Sequence, residues 1–147
     1  VIRAAATEDG QTVYWYDMAL GVYSIVYGEM DDRAPLLSAR MTTAYAMPPG
    51  EMQAPEPGLQ ADLSALVLDA NGVRQEQHGY SFAEPVPVRI GSCAYTGLPF
   101  SQTFDTDPGN VDGFMYLTEL GIAYYAWNEA PGEERVDYAP TDIGAAR

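Results

Sequence analysis

The chain has 147 residues, 47% of them hydrophobic, with 21 acidic side chains against seven basic ones and a formal charge of −14. That length and apolar fraction suit one globular domain with its own core and exclude a disordered or disulfide-scaffold class. The charge argues against nucleic acid and anionic membranes, whose phosphates it would repel, and no run of about 18 apolar residues offers a membrane span.

Residues 13–18 (VYWYDM) alternate two faces, with Val13, Trp15 and Asp17 on one and Tyr14, Tyr16 and Met18 on the other. After a turn at Ala19-Leu20-Gly21, residues 22–28 (VYSIVYG) are again β-branched and aromatic, which predicts a hairpin. Asp31, Asp32 and Arg33 make a polar turn. Residues 36–47 (LLSARMTTAYAM) read as a long strand with Leu37, Ala39, Met41, Thr43, Tyr45 and Met47 sharing a face. A helix competes there, because Leu, Ala, Met and Arg are good helix formers.

Residues 48–58 (PPGEMQAPEPG) hold four prolines and two glycines, which exclude a helix or central strand and predict a long surface loop. Residues 63–83 centre on Asn71-Gly72, both tolerant of positive φ, so a type I′ hairpin turn is expected. Its return strand places Arg74, Glu76, His78, Tyr80 and Phe82 on one face. That face is polar near the turn, as if the hairpin projected before entering the sheet. Pro85 and Pro87 suggest an edge strand running to Ile90. Beyond Gly97 and Pro99 a further alternation begins at Phe100, residues 105–113 form an acidic turn, and a second hairpin closes around Leu120-Gly121.

The pattern is all-β: a single domain over 1–147, an antiparallel β-sandwich or curled half-barrel of about eight or nine short strands. The run VRIGSCAYTGLPFSQTF, then a polar gap and GFMYLTELGIAYY, resembles the C-terminal part of bacterial periplasmic proteins of unknown function. Those proteins are similar in plan to the LolA/LolB carriers, and the resemblance implies an antiparallel sheet curled around apolar ligands. It carries no functional residue over. A first residue Val1 rather than Met agrees with a removed export signal.

Chemistry-bearing residues are few. Asp105, Asp107, Asn110 and Asp112 resemble the opening of a calcium loop, although the sixth and twelfth positions lack the expected Gly and Glu. The same residues are those that turns prefer. Cys93 beside Ile90, Ala94 and Tyr95 reads as a small core residue. His78 is the single histidine, so a Cys–His or Ser–His–Asp nucleophile would have to use it. No nucleophile-elbow motif supports either. Asp17, Glu29, Glu76, Glu119 and Glu129 lie on or beside strands, where paired carboxylates can hydrolyse glycosides but solvated acids are commoner.

Eleven tyrosines against four phenylalanines favour half-wet aromatic faces. Tyr14, Tyr16, Tyr23, Tyr27, Tyr124 and Trp127 are the candidate binding surface. The functional expectation is a non-catalytic β-domain, periplasmic or extracellular, acting without a cofactor as an accessory or assembly subunit on another protein or larger assembly. The alternative is a carbohydrate- or lipid-binding module, calcium-assisted through the acidic loop.

Overall fold

The computed structural model describes residues 1–31 and 34–144. Among these residues eleven strands form and no α-helix does. They are β1 (Ile2–Glu8), β2 (Gln11–Ala19), β3 (Tyr23–Asp31), β4 (Ala34–Tyr45), β5 (Gln60–Asp69), β6 (Gly72–Phe82), β7 (Val86–Ile90), β8 (Cys93–Phe104), β9 (Val111–Leu117), β10 (Ile122–Glu129) and β11 (Val136–Asp137). Hydrogen bonding orders them β1-β2-β3-β4-β5-β6-β8-β9-β10-β11, with β7 on β8. The sheet is antiparallel, and its order has two ends, so it is open. The all-β expectation holds, with more strands than the eight or nine that the turn pattern marks. Asp32 and Arg33 of the expected polar turn lie outside the described residues.

The chain gathers into two compact units, Val1–Pro55 with Asp62–His78, and Glu56–Ala61 with the chain from Gly79 onward. The division falls inside β5 and β6, so neither unit is a separate stretch of chain.

In the first unit, β1 is a strand that the sequence pattern does not announce. Its Ala4-Ala5-Ala6 core has low strand propensity, and pairing with β2 imposes the conformation. The two turns flanking β2 have positive φ at both central residues, Asp9 (49°) with Gly10 (76°) and Leu20 (50°) with Gly21 (73°). That is the backbone of the primed hairpin turns, whose twist matches the strands they join. The Asn71-Gly72 hairpin forms, but its turn differs from the expected type I′: among the described residues positive φ is confined there to Gly72, at 112°. Asn71 instead donates its backbone N–H to Asp69 Oδ1 at 2.7 Å, so a side chain closes the turn.

In β4 the even alternation fails. Tyr27 pairs with Met41 and Glu29 with Leu36, so an irregularity intervenes and Leu37 is exposed. The proline-rich loop carries one 3-10 turn at Pro49–Glu51. It is anchored from within, because Met52 is buried and the Tyr23 hydroxyl donates to the Gln53 carbonyl at 2.8 Å. The core of this unit comprises Met18, Val22, Tyr23, Ala65 and Val67, with Thr43, Glu76 and His78 among them.

In the second unit β8 runs unbroken through Gly97 and Pro99. The Pro99 carbonyl accepts from the Ala83 N–H at 2.8 Å, so its missing N–H falls just past the end of β6 at Phe82, where it costs the ladder little. The core is a row of rings on neighbouring strands of the sheet. Phe82 stacks on Phe100 at 4.8 Å, Phe100 on Phe114 at 5.1 Å, and Phe114 meets Tyr125 edge-on at 5.3 Å. Each fully buried side chain of this kind contributes roughly 1.5–3 kcal/mol by burial alone.

Candidate functional site

The strongest concentration of chemistry is the polar part of the first unit's core. Strand alternation on β6 turns Arg74, Glu76 and His78 to one face, as the sequence predicts. The face does not project into water, however, because Glu76 is 3% and His78 2% exposed. Desolvated polar groups are tolerated there because each is engaged. His78 Nε2 lies 2.8 Å from Glu76 Oε2, and His78 Nδ1 lies 3.4 Å from the Tyr45 hydroxyl. Tyr45 also donates to the Ser24 carbonyl at 3.1 Å. Arg74 Nε donates to Glu76 Oε1 at 2.6 Å while its Nη1 pairs with Asp69. The Arg74 guanidinium holds the Asp69 carboxyl below its usual range. The carboxylate–imidazole–hydroxyl order resembles a catalytic relay, but the terminal hydroxyl belongs to Tyr45 and its His78 partner is closed off from solvent. The arrangement is that of a satisfied buried network.

Cys93 is the reverse case. It is exposed rather than packed in a core, standing beside Tyr95, whose pKa it raises. The β7–β8 turn sets it directly after Gly91-Ser92, at the outer end of a strand, where the apolar sequence neighbours Ile90 and Ala94 do not enclose it.

The acidic segment separates into two parts. Residues 105–110 are turn, and Asp112 is already in β9. There Asp112 Oδ1 accepts from the Tyr125 hydroxyl at 2.8 Å and from Asn128 Nδ2 at 2.9 Å. Asn128 Nδ2 also donates to Asn110 Oδ1 at 3.0 Å. Two of the four expected calcium ligands are thus bound to the β10 side chains. Among the described residues no cluster of three His, Cys, Asp or Glu side chains is arranged to hold a metal.

The aromatic candidates also divide. Tyr14, Tyr16 and Tyr27 form one half-buried cluster, with Tyr16 and Tyr27 at 5.0 Å and Tyr14 and Tyr16 edge-on at 5.8 Å. Burial, then a 2.5 Å hydrogen bond to Glu29 Oε1, pushes the Tyr27 hydroxyl pKa well up. Tyr23 is not a surface residue. It is 1% exposed, because the register irregularity after Asp17 turns it inward against Tyr45 at 6.3 Å.

Tyr124 and Trp127, three residues apart, share a face only because β10 bulges between Tyr125 and Trp127. Trp127 lies flat over Gly113, where any Cβ would stand inside the indole ring. The Arg135 guanidinium covers it at 4.3 Å. Trp15 repeats the arrangement, lying over Gly28 with Arg3 above it at 5.9 Å. Sequence reasoning does not find either sandwich. The only signal is a glycine inside each partner strand, which marks close approach of another group.

Compared with protein-family models, curated proteins and solved structures, the chain matches none of them.

Proposed function

We propose that this chain is a non-catalytic β-domain that serves as an accessory or assembly subunit through protein–protein contacts. One observation carries the reading. The outer face of the β5–β6 hairpin bears Leu66, Leu68 and Val73, exposed by 53%, 51% and 67%. Ser64 and Gln77 hydrogen-bond across that hairpin through their side chains, and the same spacing about the turn puts Val73 beside Leu68. Neighbouring aliphatic side chains on a rigid strand pair, left in water, favour an interface over a chance exposure. Against a catalytic or sugar-binding role, the single histidine is buried, and each half-buried indole lies over a glycine with an arginine on it.

A periplasmic or extracellular setting belongs to the same proposal and rests on the resemblance noted above. Native mass spectrometry of material from its source is expected to show a complex. The triple variant Leu66→Ser, Leu68→Ser, Val73→Ser is expected to release the chain from it while leaving the strand circular-dichroism signal intact. Recovery of the unaltered chain as a lone, unliganded monomer would sink the reading.

A further inference from the structure

We propose that the outer edge of β1 docks an extended, basic segment of a partner protein, which joins the sheet as an additional strand. This rests on the assembly reading and names the place and chemistry of one contact.

The two ends of the strand order are unlike. At one stands β11, two residues long, with Pro131 and Gly132 before it and Pro140 after it. Short strands and nearby prolines are the usual means of blunting a sheet edge. At the other stands β1, seven residues long, without proline, and among the described residues paired to β2 alone. Alternate residues of such a strand turn their N–H and C=O groups outward, which is the template for strand addition.

The side chains along this edge say what kind of strand fits. Ala4 pairs with Tyr16 and Ala6 with Tyr14. Two methyl groups therefore lie between the tyrosine rings and the open edge. A strand laid against β1 carries alternate side chains over these alanines, and long ones reach the rings diagonally. Charge then selects among occupants. A second copy would bring its own −14 to the contact. Lysine or arginine side chains would instead meet Glu8 at the end of the edge. They would also lie against tyrosine faces that attract cations. The one cation on β1, Arg3, is held by Asp17 at 2.6 and 2.7 Å, so it opposes a basic partner little.

The test is amide hydrogen exchange of the intact chain with three synthetic peptides of about ten residues, a length that covers one strand. The first alternates Lys and Val, the second alternates Glu and Val, and the third is the Lys–Val peptide N-methylated throughout. The Lys–Val peptide is expected to slow exchange along residues 2–8, with binding weakened by salt. The N-methylated form, which has no backbone donors, is expected to bind at least about tenfold more weakly. The proposal is overturned by unchanged β1 exchange at about 1 mM Lys–Val peptide. It is equally overturned by equal binding of the Glu–Val peptide, or by protection at Leu66, Leu68 and Val73 in place of β1. Any of these removes the edge while leaving the assembly reading to its own test on native complexes.

Discussion

Each unit lays one half-buried indole against a glycine of the neighbouring strand and covers it with an arginine, yet the two sandwiches close to different degrees. In the second unit Arg135, just before β11, pairs with Asp137 at 2.8 Å from Nε, and its guanidinium carbon lies 4.3 Å from the Trp127 ring centre. In the first, Arg3 is engaged by both oxygens of Asp17, two residues along β2 from Trp15, and stands 5.9 Å from that ring. A bidentate carboxylate fixes the guanidinium plane where the carboxylate is, and stacking yields to it. Trp15 also keeps a buried indole N–H without an acceptor among the described residues. The same three residue types therefore give a tight sandwich or a loose one according to where the acid sits.

The cores differ more sharply still, and the largest expected effects lie there. Phe100 stacks on both sides in the second unit, so Phe100→Ala is expected to cost about 3–5 kcal/mol. Glu76→Gln in the first unit withdraws the charge that His78 and Arg74 both contact, and is expected to cost about 2–4 kcal/mol. Urea unfolding of both variants, followed by tryptophan fluorescence, measures the two losses. A neutral Glu76→Gln would show that the buried polar network does not hold its unit together.

Next come the sandwiches. Gly113→Ala places a methyl group within the Trp127 ring and must displace it, at about 1–3 kcal/mol. Gly28→Ala meets the more loosely covered Trp15 and is expected to cost less. Removing the covers, Arg135→Ala should cost about 0.5–1 kcal/mol and Arg3→Ala less as a stacking partner. Equal losses for the two glycine variants, by thermal melting, would break the distinction between tight and loose closure.

The smallest effect is pH-dependent. Hydrogen bonding to Arg3 lowers the Asp17 pKa in the folded state. A depressed carboxyl stabilises the fold above its unfolded pKa of about 3.9. That contribution is lost as pH falls through the lower folded value. Arg3 is exposed, so the loss below about pH 4 is a few tenths of a kcal/mol. Acid titration of Asp17→Asn beside the parent checks it, since the two curves should converge as pH falls.

Legibility in the sequence followed locality. Turn chemistry and period-two alternation identify β2, β3, β5, β6, β9 and β10, because a strand with one buried face writes its period into adjacent residues. The Asp9-Gly10 dipeptide was an equally good hairpin signal, and β1 went unmarked because its alanines carry no strand preference of their own. The burial of Tyr23 and the exposure of Cys93 escape the sequence for different reasons. Burial of a strand residue depends on which face the register turns inward, and the irregularity between β2 and β3 resets that face at Tyr23 without changing composition. Cys93 instead begins β8 directly after a turn, at an exposed strand end. In β10 a bulge brought Tyr124 and Trp127 to a common face that simple alternation would deny them.

The sequence by itself determined an acidic, all-β, antiparallel chain punctuated by glycine and proline, since backbone freedom and side-chain period are properties of neighbouring residues. Tertiary structure decided that Glu76 and His78 are interior, that each indole lies over a glycine of the neighbouring strand with an arginine on it, and that β1 forms an open end of the sheet. Those outcomes depend on which strands pair and in what register, and that pairing joins residues far apart in the chain whose identities carry no local mark of one another.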